Sequence, residues 1–197
     1  MMSSGDPETR KRIMETTRRL VEESRGKAVR LEDIAQQAGV SRQAIYLHFG
    51  SRVGLMVATV QYVDEAAGFL ERTKFVREAE NSLIALDRFV AFWADYWPGI
   101  SDLAKMLLAV RDTDPAAAAA WADRMDALWN ICHSLAKWIK RDGKLDPIWT
   151  TKTAADLLWM MILQAGESLC VERGWEKEDY VERLQYTLRR ALTTDGT

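Results

Sequence analysis

The sequence predicts an all-α fold of about nine helices: an N-terminal three-helix head followed by a larger helical body. Three observations lead there. The 197 residues include only 11 glycines and 4 prolines, fewer than the roughly 12% of average chains, so turns are scarce and the segments between them long. Apolar side chains recur three and four residues apart, the period of a helix face. Helix-starting Ser and Asp-Pro and helix-stopping glycines punctuate the chain. With 48% hydrophobic and 28% charged residues the composition is globular, which excludes disorder and fibres as overall classes and disfavours an all-β sandwich.

A first amphipathic helix runs from about Pro7 to Ser24, with Ile13, Thr17, Leu20 and Val21 on one face and Gly26 as its stop. Residues 29–55 read as three short or starting helices. Ile34, Ala35 and Ala38 line the first, Gly39 breaks it, and the Ser41 hydroxyl caps the second. Gly50 ends that one, and Ser51 caps a long helix continuing to about Arg77. The next, from about Asn81 to Tyr96, is expected to end at Trp97-Pro98-Gly99, because proline cannot continue the hydrogen-bond ladder. Ser101 or Asp102 then caps a helix to about Asp112. Asp114-Pro115, an N-cap with proline at the first helical position, opens a long helix through five alanines to about Arg141. Gly143 stops it and Asp146-Pro147 repeats the start. That helix is expected to end near Gly174, and a last one runs from about Lys177 to Leu192.

Charge and tryptophan are both distributed unevenly. Residues 1–55 carry ten Lys and Arg against seven Asp and Glu, whereas residues 56–197 carry 17 against 22. A basic segment on an acidic body suits an end that meets an anion such as nucleic acid, and equally a solvated helix surface. All eight tryptophans lie at or beyond position 93. The expected division is therefore a head over residues 7–53 and a body over residues 54–195.

Cys132 and Cys170 sit in apolar helical patterns outside any metal-ligand spacing, as buried free thiols in a reducing compartment do. The N-terminus lacks the apolar core of a signal peptide, and the longest apolar run, Leu157 to Leu163, is far short of a membrane span. The expectation is a cytoplasmic protein without a membrane partner. Catalysis finds little support. His133 has no partner motif, Asp112 and Asp114 have no accompanying ligand cluster, and neither a phosphate-binding glycine loop nor G-x-S-x-G is present. No metal, no cofactor and no enzymatic activity are expected, a helical enzyme being the remote alternative.

Residues 31–49 have the form of a helix-turn-helix, in which one helix crosses the DNA backbone and supports a second in the major groove. Ala35 permits close crossing, Gly39 supplies the turn, and Val40 and Ile45 fill the angle. Ile34-Ala35, Ala38-Gly39-Val40-Ser41, Tyr46, His48-Phe49, Ser51-Arg52 and Leu55 follow the order I-A, A-G-V-S, Y-x-H-F, S-K/R and L. With these flanks the segment resembles the DNA-binding domain of the TetR family of transcriptional regulators. Two positions depart from that pattern: Arg30, where the family often has a capping Thr, and Gln43, where Gly is frequent.

The resemblance implies a double-stranded DNA operator as partner and a contact set of Ser41, Arg42, Gln43, Tyr46, His48 and Arg52. Ser41 and the free N–H groups behind it suit a phosphate. Arg42 suits guanine or a phosphate, and Gln43 suits adenine. Tyr46 and His48 match phosphate-contacting positions, although Tyr46 also reads as core with its hydroxyl at the surface and His48 as a helix-end residue satisfying carbonyls. Arg52 adds positive charge, and Phe49 reads as core.

The resemblance also implies a homodimer paired through the last two long helices, which presents two recognition helices to a palindromic operator. The expected interface is Leu157, Leu158, Met161, Ile162, Ala165, Gly166, Leu184 and Leu188. A small apolar or aromatic effector is implied in the body, with Trp93, Trp97, Met106, Trp121, Met125, Trp129 and Trp159 as candidate lining. The same stripes read equally as core. The overall expectation is a ligand-responsive repressor; the alternative is a DNA-binding dimer whose body serves only dimerisation or a protein partner.

Overall fold

The structure, a computed structural model, describes residues 6–27 and 29–194. Among these residues there are nine α-helices, one π-helical turn and no strand beyond an isolated bridge between Leu145 and Thr193. By contact the chain forms two compact units, one of residues up to 68 with 98–122, the other of 69–97 with 123 onward. The expected boundary between residues 53 and 54 is a single cut, whereas these units are discontinuous in sequence; the expected end at residue 195 lies outside the described residues.

The first unit holds α1 (Pro7–Glu23), α2 (Leu31–Gln37), α3 (Arg42–Phe49) and α4 (Arg52–Ala66). Asp6 caps α1 by accepting from the Glu8 and Thr9 amides, and Ile13, Thr17 and Val21 face inward as their spacing predicts. Helix α1 packs on α2 and α4, and α3 packs on the same two. Ile13, Ile34, Ile45 and Leu55, each 3% exposed or less, are at the centre. Gly39, at φ +64, makes the turn between α2 and α3, a left-handed conformation that costs other residues about 1–2 kcal/mol. Gly26, at φ +72, lies where a Cβ would stand 3.1 Å from the Asp102 carbonyl oxygen.

Three helix boundaries differ from the sequence expectation. The helix from Ser51 does not reach Arg77 unbroken. It ends at Ala66, and α5 (Phe69–Arg77) starts afresh after Gly68, whose φ of +63 lets the Ala67 and Gly68 amides turn back to the Val63 and Glu65 carbonyls. Conversely, the chain does not stop at Pro98. Helix α6 runs from Ser82 to Arg111 with Pro98 inside it, so Ser101 is a buried interior residue whose hydroxyl donates to the Pro98 carbonyl and is not a cap. An internal proline costs about 3 kcal/mol. Burial of Trp93, Tyr96, Ile100 and Leu103 to 5% exposure or less, at roughly 1.5–3 kcal/mol each, outweighs it.

The third difference is at Asp146-Pro147. Helix α7 (Pro115–Arg141) starts as expected, with Asp114 accepting from the Ala116 and Ala117 amides. After Gly143, however, residues 144–149 are drawn to the end of the last helix. The Asp146 amide donates to the Leu192 carbonyl, the Thr194 amide to the Lys144 carbonyl, and the Trp149 indole to the Ala191 carbonyl at 2.6 Å. Helix α8 (Thr151–Ala165) therefore starts later, at a reciprocal cap between Thr150 and Thr153. It continues as a π-helical turn over Gly166–Glu172. The last helix, α9, spans Lys177–Leu192, as the sequence predicts.

The span Thr151–Glu172, 22 residues, is long and apolar enough by length and composition to cross a membrane. The seven-residue run considered from the sequence understates it. Its Ala154, Ala155, Leu158 and Ile162 are at 0–1% exposure inside the chain, as in a core helix. The second unit is filled by Leu86, Phe89, Val90 and Trp93 of α6, Cys132 and Ile139 of α7, and Tyr180 and Leu188 of α9. Cys132 is a buried free thiol as expected, whereas Cys170 is only half-buried.

Candidate functional site

Helix α3 exposes one face as a unit. Ile45 alone of its residues is fully buried, at 1%, while Arg42, Gln43, Tyr46 and Leu47 are exposed, Leu47 to 78%. Ser41 stands before them in an extended conformation, its oxygen accepting from the Ala44 amide at 3.1 Å. The hydroxyl proton remains available to donate, and the helix N-terminus behind it favours an anion.

Arg42 does not stand alone. Its guanidinium donates to the Glu32 carboxylate at 2.6 Å and to the Tyr46 hydroxyl at 3.5 Å. The Tyr46 bond and, after it, the Glu32 charge push its pKa up. Ser41, Arg42, Gln43 and Tyr46 thus come together on one surface. His48 and Arg52 are half-buried, and an Arg52 nitrogen donates to the Val29 carbonyl at 2.9 Å. Phe49, expected in the core, is half-buried beneath Arg10, whose guanidinium carbon lies 4.5 Å from the ring centroid. Arg30 precedes α2 without a side-chain cap.

The sequence reading missed the residues that hold α3 in place. Arg10 donates to the His48 carbonyl at 2.6 Å and Arg12 to the Ala38 carbonyl at 2.9 Å. Both satisfy carbonyls that helix ends leave unpaired. Nothing distinguishes these two arginines in the sequence from their solvated neighbours in α1.

In the second unit a cavity of about 350 Å³ lies among α5, α6 and α7, walled by Phe69, Val76, Phe89, Leu135 and Trp138. None of the seven candidate lining residues borders it. Trp93 and Trp97 stack on one another, ring centroids 5.9 Å apart; Trp93, 5% exposed, is core, and Trp97 is half-buried. Met106, itself buried, and Trp121 belong to the first unit. Met125, Trp129 and Trp159 line a separate depression of about 280 Å³, where the Trp129 indole donates to Asp156 at 2.7 Å. Trp138 is the tryptophan at the larger cavity, its signal hidden among eight similar residues.

The sequence model of the bacterial regulatory proteins of the tetR family matches residues 13–59, the stretch that contains α2, α3 and the start of α4. Residues 13–59 are thus similar to the N-terminal region of that family. Nucleoid occlusion factor SlmA of Marinomonas sp. (strain MWYL1) is 26% identical over 105 residues, 52% of this chain; the chain spans about half (53%) of that relative's length. A transcriptional regulator from Saccharomonospora viridis, solved in complex with choline, superposes with a TM-score of 0.81 at 18% identity, covering 95% of this chain and 99% of that one. NalD, the secondary repressor of the MexAB-OprM multidrug efflux pump in Pseudomonas aeruginosa, gives 0.72 at 21% identity over 95% and 97%. FadR of Bacillus subtilis, in complex with stearoyl-CoA, gives 0.73 at 16% identity over 90% and 96%. At these identities the structural likeness establishes the all-α fold.

Of the side chains expected to pair two copies of this chain, Leu158, Ile162, Leu184 and Leu188 are at 0–4% exposure within the single chain. Gly166 is also buried, placed so that a Cβ would lie 3.4 Å from Trp97 and 3.6 Å from the Tyr180 hydroxyl. Leu157, Met161 and Ala165 are half-buried. The large apolar side chains left open along this stretch are Met160 of α8, Val171 of the π-helical turn, Trp175 ahead of α9 and Tyr186 of α9, between 37% and 65% exposed. Helical spacing alone does not say which of two apolar faces the chain itself covers.

Proposed function

We propose that the chain is a homodimeric, ligand-responsive transcriptional repressor of the cytoplasm, which binds a palindromic operator and releases it when a small apolar or aromatic effector occupies the body. The observation that carries this reading is the exposed face of α3, where Ser41, Arg42, Gln43 and Tyr46 present one hydroxyl, one cation, one amide and one phenol along a single helix. That set supplies a phosphate anchor and donors for guanine and adenine edges. Residues 7–53 read DNA; the remainder pairs the copies and senses. The apolar cavity supports the effector, as do the choline and stearoyl-CoA held by two proteins of the same fold.

The test is binding of the purified chain to palindromes from the DNA flanking its gene, with Arg42→Ala and Tyr46→Ala alongside. Both variants are expected to lose tight binding and keep wild-type helicity and oligomeric state. Unchanged binding overturns the assignment of this face. A monomer at operator-binding concentrations overturns the dimeric reading, and full operator affinity with the cavity saturated favours a body that serves only dimerisation or a protein partner.

A further inference from the structure

The geometry points to an amphipathic anion as the molecule that the second unit's cavity accepts: an apolar tail of medium length bearing one carboxylate-like group. This rests on the reading of the chain as ligand-responsive and names the class of the ligand. Two adjoining spaces carry it, sharing Arg77, Ser134 and Trp138. The first, the cavity of about 350 Å³, has hydrocarbon and aromatic walls, and apart from Arg77 its polar groups are the neutral Thr73, Asn130 and Ser134. The second, about 360 Å³, is lined by Arg77, Lys137 and Arg141 and by no acidic residue.

Lys137 and Arg141 lie four residues apart on α7 and so share a face, a spacing at which like charges repel. Arg77, in the last turn of α5, is the third cation. Little around them neutralises this charge. Arg77 donates to the Thr73 hydroxyl at 3.3 Å, and Arg141 approaches Asp142 at 3.9 Å and the Trp138 ring at 5.5 Å. Asp142 is partly committed elsewhere, its other oxygen accepting from the Ser82 amide at 3.0 Å. Among the described residues neither Arg77 nor Lys137 has a carboxylate partner. A carboxylate head relieves the repulsion and accepts paired guanidinium hydrogen bonds, while its tail removes apolar wall from water. A cation meets three like charges there, and a neutral molecule gains only the apolar part.

The experiment is calorimetric titration of the full chain with sodium decanoate, 1-decanol and decyltrimethylammonium, one tail with three head charges, each below its aggregation threshold. Decanoate is expected to bind about tenfold or more tighter than decanol, with the ammonium weakest. Raising salt from about 50 to about 500 mM should erode the decanoate preference and leave decanol unchanged. The double substitution Arg77→Gln, Lys137→Gln should abolish the preference while retaining decanol binding, which also reports that the variant is folded. Equal affinity for the three heads, strongest binding of the ammonium, no binding of decanoate, or a preference that survives the double substitution each overturns the assignment. An operator titration separates the two readings. Decanoate binding as described with unchanged operator affinity sinks ligand response and leaves the ligand class standing; intact operator binding with no decanoate bound does the reverse.

Discussion

The guanidinium of Arg42 on the recognition helix is held at 2.6 Å by the carboxylate of Glu32 on the supporting helix. Both side chains are more than half exposed, so the pair costs little to open, and under the proposed reading it competes with DNA. Glu32→Gln should therefore raise operator affinity several-fold at low salt, whereas Arg42→Ala should lower it about tenfold or more. Fluorescence anisotropy with a labelled operator measures both. Loss of affinity in Glu32→Gln would mean that the carboxylate positions Arg42 for DNA and does not compete with it.

Ser41 has a folding role and a proposed binding role, and two substitutions separate them. Ser41→Ala removes the cap on α3 and should cost about 1 kcal/mol of stability. Ser41→Asp keeps an acceptor for the Ala44 amide but sets a negative charge where a phosphate is to lie. Thermal melts should place Ser41→Asp near wild type, and operator titrations should show it the weaker binder of the two.

Gly26 and Gly39 both have left-handed backbone, at φ +72 and +64, yet only Gly26 is crowded. A Cβ there would meet the Asp102 carbonyl oxygen and the Lys105 Cβ, each at 3.1 Å, whereas at Gly39 nothing lies within 4 Å. Gly39→Ala should cost about 1–2 kcal/mol for the conformation alone, and Gly26→Ala distinctly more. Urea unfolding of both variants gives the difference. Equal losses would show that α6 yields without penalty at this contact.

Alkaline pH should weaken the fold by a predictable route. Burial pushes the Cys132 thiol from an ordinary 9.0 up to about 12, and burial first, with Cys170 second, pushes the Tyr180 hydroxyl from 10.0 up to about 12. Between the two values for each group the folded chain keeps a proton that the unfolded chain has lost, so stability falls as pH rises through that window. Below pH 9 the contribution is fully present. Urea midpoints should be flat from pH 7 to 8.5 and decline above, and Cys132→Ala should shallow the decline. Thiol reagents at pH 8 should modify the half-buried Cys170 well before Cys132.

Local signals were legible and competing ones were not. The Ser41 cap and the Asp114-Pro115 start follow from one or two residues whose chemistry nothing else contests. Pro98 and Asp146-Pro147 carry equally strong local signals, yet packing overrides the first and hydrogen bonds to residues 191–194 of the chain's end redirect the second. Gly68 is hard to read as a stop because the two alanines before it favour helix. At the site, the exposed face of α3 was readable from the motif. Arg10, Arg12 and Glu32 were not, since their partners lie 10 to 38 residues away. The cavity was the least readable part, because an aromatic stripe is the same sequence whether it encloses space or fills it.

Leu47 is 78% exposed beside Gln43 and Tyr46, a large hydrocarbon kept in water at the end of a helix that otherwise offers hydrogen-bonding groups. If α3 enters the major groove as proposed, the C5-methyl of a thymine, which no other base pair edge offers there, is the apolar group that could cover it. Specific binding should therefore carry a negative heat-capacity change, because water leaves apolar surface on both sides. Calorimetry at several temperatures should find that change smaller in Leu47→Ala, and uracil in place of one thymine per half-site should reproduce the loss. On this reading the exposed leucine couples the sequence of the bound DNA to the heat capacity of binding.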